Sequence, residues 1–560
     1  MPFFHPVPAA ISARNVQEIL FFGGGIALLL AAAFLAPHRG ARWFRLFEHG
    51  LARIARHRGL AILGVALFAL GIAVALALTI GLPQPKVDDE FSYLLAADTF
   101  SHGRLANPPH PLWQHFETFH VIQQPAYASK YPPGQGLLLA LGQFLSHPVV
   151  GVWLSTAIAC AAITWMLMAW LPARWGLLGG LLAAMHPEVL IWSQRYWGGS
   201  LTLAAGALAL GGFRRLLRKP GTRDAVLMTA GMAATVICRP YEGGVMTMIL
   251  LVSLAVLGGV RKCLSPRIAL PIAIGLAMTG AWTGYYNWRV TGSPTRMPYQ
   301  VHSSAYMAAP IFVWQSAPPL PAYRHAELRD FHTGWEYRGY ARQQSAAGLA
   351  TGLLERTWRL LRSHSRLWFL SLSLVALPWA LRRDRWMRRA TWIWLLFTAA
   401  LLQVNWTFFH YAAPVFGLFF VLVMQSMRHL RVWHWHGKSV GLFLARGSVI
   451  LCAVSVLQSW REIASQYPDR WWAQREGVVR RVQQDGGKHL IVVRDAPGIA
   501  TAPGFRDWVR NLADLEGPEI VWARSMDGTR DLQLLEHYKE RRAWLLEVGR
   551  DDVRLLPYPR

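Results

Sequence analysis

The sequence predicts an all-α membrane protein of about twelve spanning helices, followed by a small soluble α/β domain. Two observations lead to this fold class. Uncharged apolar runs recur up to about residue 460, and one of them, LAILGVALFALGIAVALALTIGL at 60–82, has the roughly 20 residues that cross a bilayer as a helix. Beyond that point the chain becomes polar, and short apolar runs alternate with a helical pattern.

Each apolar run of sufficient length is predicted to be a spanning helix. These runs lie near residues 17–36, 59–82, 149–171, 174–192, 199–217, 224–240, 243–260, 267–288, 366–382, 389–404, 408–427 and 440–459. The first has no basic segment before it and another span follows soon, so it is predicted to be a membrane helix and not a signal peptide. A further apolar segment, QGLLLALGQFLS at 135–146, is only about 12 residues long, which favours a helix on the membrane surface.

The distribution of basic residues predicts the orientation of these spans. The chain has 57 Lys and Arg against 31 Asp and Glu. The basic residues concentrate in five short loops between apolar runs, at 38–59, 214–223, 261–267, 382–389 and 428–438. The positive-inside rule assigns such loops to the cytoplasm. All five share that side only if 135–146 stays on the outer surface, so both termini are predicted outside. This placement of charge also argues against nucleic acid as a partner.

Three large segments are then predicted outside the membrane: 83–134, 289–362 and the tail after 460. The tail contains three β-type runs and one helical pattern, namely HLIVVRD (489–495), EIVWARS (519–525), AWLLEVG (543–549) and DLQLLEHYKERR (531–542). The predicted divisions are an amino-terminal span with a basic cytoplasmic loop (1–58), a membrane core (59–460) and a soluble α/β domain (461–560).

Three consecutive carboxylates, Asp88, Asp89 and Glu90, stand where the chain leaves the second predicted span. A helical pattern follows, and acidic residues in a first helical turn satisfy free N–H groups and favour the helix dipole. Capping needs one carboxylate or two, whereas a third repels its neighbours. A carboxylate in the poor dielectric of a membrane face has a raised pKa, which suits a general base. The cluster is therefore a candidate catalytic site, and which of the three acids is the base is left open.

The segment after the carboxylates is rich in aromatic and amide side chains, which suit contacts with a sugar or a polar headgroup. The candidates for binding sugar or acceptor are Tyr93, Trp113, Tyr131 and Tyr411. His115, Glu117 and His120 could also ligate a metal, as could Asp88, Asp89 and Glu90, although the histidine spacing fits no standard zinc pattern. A divalent cation is therefore left open as a cofactor.

Several cations are predicted on the outer side near the ends of spans. They are Lys130, Arg195 in WSQRYWGG, Arg239 in CRPYEGG and His410 in FFHYAAP. Cations at span ends often reach toward lipid headgroups without a further function. These residues stand beside Tyr, Trp and Gly and outside any basic cluster, which suits a bound lipid phosphate.

The order of these features resembles the GT-C glycosyltransferases that use polyprenyl-phosphate sugars, in particular the bacterial branch of the protein mannosyltransferase and aminoarabinose transferase group. Asp89-Glu90-Phe91-Ser92-Tyr93 matches the D-E-x-x-Y motif of that group. Lys130-Tyr131-Pro132-Pro133 is similar to its K-P-P run, with the lysine one position earlier. Cys238-Arg239-Pro240 resembles its mid-chain basic motif, and His410-Tyr411-Ala412-Ala413-Pro414 resembles its R-Y-x-x-P motif with His in place of Arg. The resemblance covers roughly residues 59–430.

The resemblance implies a GT-C-like fold for the membrane core and an enzyme of the bacterial inner membrane whose site and tail face the periplasm. It implies transfer of a sugar from a polyprenyl-phosphate donor to an acceptor hydroxyl of a glycan, lipid or protein, with inversion at the anomeric carbon. A phosphate leaving group needs no general acid, so one carboxylate suffices. Asp89 is the expected base, and Asp88 or Glu90 would orient it or hold a divalent ion if one is used. Lys130, Arg195, Arg239 and His410 would bind the donor phosphate.

Two other functions are compatible with a polytopic membrane protein. An O-antigen ligase or polymerase would depend on outer Arg and His side chains such as Arg324, His325 and His332. A transporter would carry charge inside its spans, and here Arg446 is the main charged residue within a predicted span, with Glu188 near the end of another. The near absence of such charge argues against transport.

Overall fold

The structure is a computed structural model that describes residues 13–467, 470–501, 505–526, 528–550 and 552–559. The chain begins with three helices. Helix α1 covers Ala13–Leu35, α2 covers Ala41–Arg56 and α3 covers Arg58–Ile80. Helices α1 and α3 are apolar, whereas α2 is amphipathic and lies between them in the chain. The segment predicted as a basic loop at 38–59 is therefore largely helical.

The outer segment 83–134 is built on one helix and a short hairpin. Helix α4 covers Asp88–Ser101, and the two-residue strands β1 (Val121–Ile122) and β2 (Ala128–Ser129) pair antiparallel. Helix α5 (Pro133–Leu145) follows, at the position predicted for a helix on the membrane surface. Proline at its first position suits a helix start, because proline has no N–H group there to leave unpaired.

The central part of the chain is a helical bundle. Its helices are α6 (Pro148–Trp170), α7 (Ala173–Ala184), α8 (Pro187–Trp192), α9 (Gly199–Leu216), α10 (Thr222–Cys238), α11 (Pro240–Gly258), α12 (Val260–Cys263) and α13 (Pro266–Thr291). The predicted span at 174–192 is in fact two helices. Pro187 begins the second one, and the His186 side chain accepts a hydrogen bond from the Glu188 amide at its start.

The second outer segment and the last membrane helices follow. Their helices are α14 (Pro298–Tyr306), α15 (Ala326–Arg329), a π-helix (Asp330–Glu336), α16 (Tyr337–Arg342), α17 (Ala346–His364), α18 (Trp368–Ser371), α19 (Leu377–Arg383), α20 (Arg385–Leu401), α21 (Ala413–Leu430) and α22 (Val440–Ala464). The predicted span at 366–382 is again broken, because a 3-10 segment, Leu372–Ala376, separates α18 from α19.

Twelve membrane spans are not confirmed. Among the described residues, six helices are long and apolar enough to cross a membrane: α3, α6, α11, α13, α21 and α22. Two of the other predicted spans are interrupted by breaks in the helix. Three more, α9, α10 and α20, are short or carry charge, with Arg214 and Arg215 near the end of α9. Helices nonetheless occupy all twelve predicted positions, so the prediction located the helices better than it counted the spans.

The tail forms a mixed four-stranded sheet. Its strands are β3 (His489–Asp495), β4 (Ile520–Arg524), β5 (Arg542–Val548) and β6 (Val553–Pro557), in the order β4-β3-β5-β6. The first three run parallel and β6 is antiparallel. Helices α23 (Arg470–Gln483) and α24 (Gly528–His537) lie on opposite faces. The three strands predicted in the tail are confirmed, and β6 was missed.

The tail sheet shares its hydrophobic core with the outer segment 83–134. Alternate residues of a strand point to opposite faces, so Leu490 packs on one side of the sheet and Ile491 on the other. The Leu490 side also contains Leu95 of α4 and Phe116. The tail therefore packs directly on the helix that carries the three carboxylates. The predicted domain limits at 58 and 460 stay predictions.

Candidate functional site

The first turn of α4 directs its three carboxylates to three different environments. Glu90 is fully buried, and its carboxylate accepts hydrogen bonds from the backbone N–H groups of Lys86 at 2.7 Å and Tyr196 at 2.8 Å. The Arg195 guanidinium also donates to Glu90 at 3.3 Å. Both Glu90 oxygens are thus engaged, and the side chain joins the start of α4 to the chain after α8.

Asp88 is also buried, and it forms an ion pair with Arg510 of the tail. Burial raises the pKa of the Asp88 carboxyl, and the Arg510 guanidinium opposes that rise. Arg510 also donates to the Phe119 carbonyl at 3.2 Å and lies over the Phe91 ring at 5.0 Å. The tail therefore holds the residue that directly precedes Asp89.

Asp89 alone among the three carboxylates is accessible, with 40% of its side chain exposed. The Tyr131 hydroxyl donates to its Oδ1, and Nε2 of His120 lies 3.9 Å from Oδ2. Tyr131 in turn stacks on Tyr93 with ring centroids 4.4 Å apart. This leaves Oδ2 of Asp89 open on one side, which is the geometry that a base at a ligand site requires.

Lys130 is buried next to this carboxylate without a partner of its own. Its ammonium lies 5.3 Å from the centroid of the Tyr131 ring and 5.6 Å from that of Tyr299. Within the described part of the chain its ammonium has neither a hydrogen bond nor an ion pair. Burial lowers the pKa of Lys130, and the negative charges of Glu336 and Asp89 oppose this. A buried cation without a counter-ion suits an anionic ligand.

Arg239 and His410 extend the group on the membrane side. Arg239 lies at the junction of α10 and α11, with its guanidinium 4.2 Å from the centroid of the Tyr411 ring and 3.4 Å from Glu242. His410 stacks on Trp197 at 4.7 Å and meets Tyr411 edge-on. Arg195, by contrast, is committed to Glu90. The structure thus brings together ten of the eleven predicted site residues, with Arg195 in a structural pair.

Trp113 is the predicted site residue that lies elsewhere. Its ring lies under the Arg324 guanidinium at 4.6 Å, next to a polar cavity of about 360 Å³ that Gln114, His115 and Arg324 line together with residues of the tail. No contact joins Trp113 to Asp89 or Lys130 among the described residues. Two further aromatic residues, Tyr299 against Tyr131 at 5.6 Å and Trp197 against His410 at 4.7 Å, belong to the group and were not predicted.

The histidines and acids suggested as metal ligands do not converge. Nδ1 of His115 binds the Arg524 carbonyl at 2.8 Å, Glu117 accepts from Tyr306 at 2.8 Å, and His120 faces Asp89. Burial raises the pKa of Glu117, while Tyr306 and Arg324 oppose that rise. The residues proposed as a metal site therefore belong to three separate sets of contacts.

A different trio, His110, Glu516 and His537, has metal-like spacing. Nε2 of each histidine lies 3.0 Å from the same Glu516 oxygen. However, Nδ1 of His110 accepts a hydrogen bond from the Leu112 amide at 3.0 Å, so the neutral ring carries its proton on Nε2. A metal on that Nε2 would require an imidazolate. The trio is therefore better explained as a hydrogen-bonded contact between the outer segment and the tail.

The residues expected for the two alternative functions are held in local pairs. Arg324 and His325 both contact Glu117, at 3.4 Å each. Nδ1 of His332 lies 2.5 Å from Glu336. None of these three residues contacts Asp89.

The two membrane charges relevant to transport are also paired. Arg446 binds Glu48 of α2 through two hydrogen bonds of 2.9 and 3.0 Å, and Glu188 pairs with Arg366 at 3.4 Å. Each charge is thus neutralised at the edge of the helical bundle. Neither belongs to a chain of charges through the bundle among the described residues.

An apolar groove lies beside Arg239 on the membrane part of the molecule. Helices α10, α11 and α13 enclose about 680 Å³, lined by residues such as Val236, Gly244, Leu251 and Leu276. Val236 and Gly244 stand on either side of Arg239 in the chain, so one end of the groove lies near the junction of α10 and α11 that carries this residue. Its lining is apolar and open to the side, as an acyl or prenyl chain requires.

Comparison with solved structures gives the fold a known counterpart. ArnT from Cupriavidus metallidurans bound to undecaprenyl phosphate aligns with TM-score 0.51 and 12% identity, covering 86% of this chain and 93% of its own. The apo state of the same protein aligns with TM-score 0.50 and 12% identity, over 87% and 93%. No family model matches the sequence, and no curated protein matches it. The chain therefore shares the fold of ArnT, over a longer part of the chain than the predicted resemblance at 59–430.

Proposed function

We propose that this protein is a membrane glycosyltransferase that moves a sugar from a polyprenyl-phosphate carrier to an acceptor hydroxyl. The observation that carries the proposal is the pairing of one accessible carboxylate, Asp89, with a buried and unpartnered ammonium, Lys130, across the Tyr131 ring. A transfer from a lipid phosphate needs these two functions: a base for the acceptor and a cation for the leaving group. The fold shared with ArnT, which was solved with undecaprenyl phosphate, supports the same donor class.

Asp89 and Lys130 have different roles in the proposed reaction. Asp89 takes the proton of the acceptor hydroxyl as its oxygen attacks the anomeric carbon of the donor sugar. The bond from that carbon to the phosphate oxygen breaks, and the electron pair leaves with the phosphate. Lys130 and Arg239 stabilise the additional negative charge on the leaving group. Attack from the face opposite the phosphate inverts the anomeric carbon.

The other two carboxylates have positioning roles in this proposal. Glu90 has both oxygens filled by backbone N–H groups and Arg195, so it anchors the first turn of α4 and takes no proton. Asp88 is neutralised by Arg510 and held on the tail side. Asp89 is then the one acid of the cluster that is accessible, which supports its assignment as the base.

The lipid part of the donor fits the groove between α10, α11 and α13. The prenyl chain would lie along apolar residues such as Leu251 and Leu276, with the phosphate at the groove end near the α10–α11 junction that carries Arg239. Tyr93, Tyr131 and Tyr411 supply flat surfaces and hydroxyls next to Asp89 for the sugar ring. The basic loops support an orientation in a bacterial inner membrane with this site and the tail on the periplasmic side.

The test is an Asp89→Asn variant, assayed in membranes supplied with undecaprenyl-phosphate-linked sugars. We expect sugar transfer to fall by a factor of about 10² to 10⁴, the usual contribution of a positioned general base. Expression and thermal unfolding should stay at wild-type levels, because the side chain is partly exposed. Asp330→Asn, in an exposed pair with Arg329, is the matched control and should transfer normally. Wild-type turnover in Asp89→Asn would overturn the assignment.

A further inference from the structure

Helix α2 presents three distinct faces around its axis. One face contacts the protein: Ala55 is buried, and Glu48 forms its two hydrogen bonds with Arg446 of α22. A second face is apolar yet exposed, with Trp43 at 76%, Leu46 at 58% and Ile54 at 51%. The third face is basic and exposed. Successive residues of a helix are rotated by about 100°, which separates these faces into three sectors.

The basic sector consists of Arg42, Arg45, Arg53 and Arg56, all exposed. None of the four forms an ion pair with an acid in the described part of the chain. Four cations on one side of a helix of 16 residues repel each other unless an anionic partner compensates them. The exposed apolar sector lies next to this row, so a partner must offer both an apolar surface and negative charge.

The neighbours of α2 in the chain indicate what covers these faces. Helix α1 ends at Leu35 and α3, a candidate membrane span, begins at Arg58. Helix α2 therefore connects two apolar helices at one membrane surface, and Arg446 fixes it sideways against α22, another candidate span. A helix held there faces the bilayer with one of its long sides.

We propose that α2 lies in the plane of the membrane surface and binds anionic lipid headgroups. Trp43, Leu46 and Ile54 enter the acyl region, and the arginines contact headgroup phosphates, as in other amphipathic helices at interfaces. Anionic lipid and an apolar layer together satisfy both exposed sectors, whereas a nucleic acid would leave the apolar one in water. The proposal is independent of the catalytic site.

The first test measures the depth of two neighbouring positions in nanodiscs of phosphatidylcholine and phosphatidylglycerol. Spin labels are attached to Leu46→Cys or Arg45→Cys in a Cys263→Ala background, since the other three cysteines are buried. We expect the label at 46 to collide preferentially with oxygen and the label at 45 with a water-soluble nickel complex. Equal nickel access at both positions would overturn the proposal. Exclusion of both reagents at 46 would also overturn it, by showing a protein partner.

The second test concerns charge. The Arg42→Gln/Arg53→Gln protein and a control, Arg480→Gln/Arg481→Gln on the exposed side of α23, are compared for phosphatidylglycerol retained after detergent dilution, counted by mass spectrometry. We expect the preference for anionic over zwitterionic lipid to fall about fivefold per neutralised arginine of α2. The control should keep the wild-type preference. An equal fall in both proteins would show general electrostatics and not a lipid-binding helix.

Discussion

Two buried cations of the outer region, Arg524 in the tail and Lys130 in the candidate site, differ in how completely they are paired. Arg524 donates to Asp495 at 2.9 Å and to Asp507 at 2.7 Å, with Glu327 at 3.5 Å. Lys130 has aromatic rings beside it and no such partner among the described residues. A buried charge with all its ion-pair partners contributes to the structure. A buried charge without an ion pair costs stability, and it is retained where a ligand provides the missing partner.

Loss of Arg524 should give the largest effect on stability. Arg524→Met removes the guanidinium and leaves Asp495 and Asp507 buried, which costs about 3–5 kcal/mol when one partner of a buried pair is lost. Thermal unfolding of the purified protein in detergent measures it. Arg554→Met is the matched control, because Arg554 is 72% exposed in its pair with Asp552 and should change stability little. Equal melting temperatures for the two variants would contradict a stabilising role of Arg524, and Arg524 would then not differ from Lys130 in this respect.

Loss of Lys130 should have the opposite profile. Lys130→Met removes a buried cation that has no ion pair among the described residues, so thermal stability should be unchanged or slightly higher. Sugar transfer should fall by a factor of about 10² to 10³, as for other groups that stabilise charge in the transition state. Both properties are measured on the same preparation. A strong loss of stability with normal transfer would assign Lys130 to the structural class that Arg524 represents.

Arg510 connects the two regions, because it belongs to the tail and pairs with Asp88 beside the proposed base. We expect Arg510→Met to lower kcat about tenfold with the donor KM unchanged, since the first turn of α4 loses its support. Arg510→Met also leaves the buried Asp88 carboxylate unpaired, which should lower thermal stability. Adding Asp88→Asn should recover most of that loss, because no buried carboxylate is then left unpaired. Arg481→Met, on the exposed side of α23, is the control. An unchanged kcat would limit the tail to a structural role.

The sequence was informative where the signal is local. Apolar runs located helices at all twelve predicted positions, and the short apolar run HLIVVRD located β3 to the residue. The break at Pro187 was missed although His186-Pro187-Glu188 is a local signal for a helix start inside the predicted span. The pairing of Asp88 with Arg510 joins positions 422 residues apart, and no local pattern marks an arginine for such a contact. Asp89 could be predicted as a candidate base. The different environments of Asp88 and Glu90 could not be predicted, because they depend on partners from distant segments.

A pH dependence of stability is also expected to arise from the Arg524 cluster. Two buried carboxylates share one guanidinium there, and Oδ1 of Asp495 has no hydrogen-bond partner in the described structure. Burial raises the pKa of Asp495 from its ordinary value of 3.8 to about 7, although Arg524 opposes the rise. Between these pH values the folded state binds more protons than the unfolded state, so stability falls as pH rises from about 4 to about 7 and then levels off.

Asp495→Asn should remove part of that fall, because an amide does not titrate. Melting temperatures of wild type and variant, measured from pH 4 to pH 8, are expected to converge at low pH and diverge toward pH 7. Asp88 and Glu117, whose pKa values burial also raises, should keep a residual slope in the variant. Parallel curves across the whole range would show that Asp495 is ionised throughout. The carboxylates of the Arg524 cluster would then all be ionised and paired. The cluster would differ even more clearly from Lys130, which has no ion pair in the described structure.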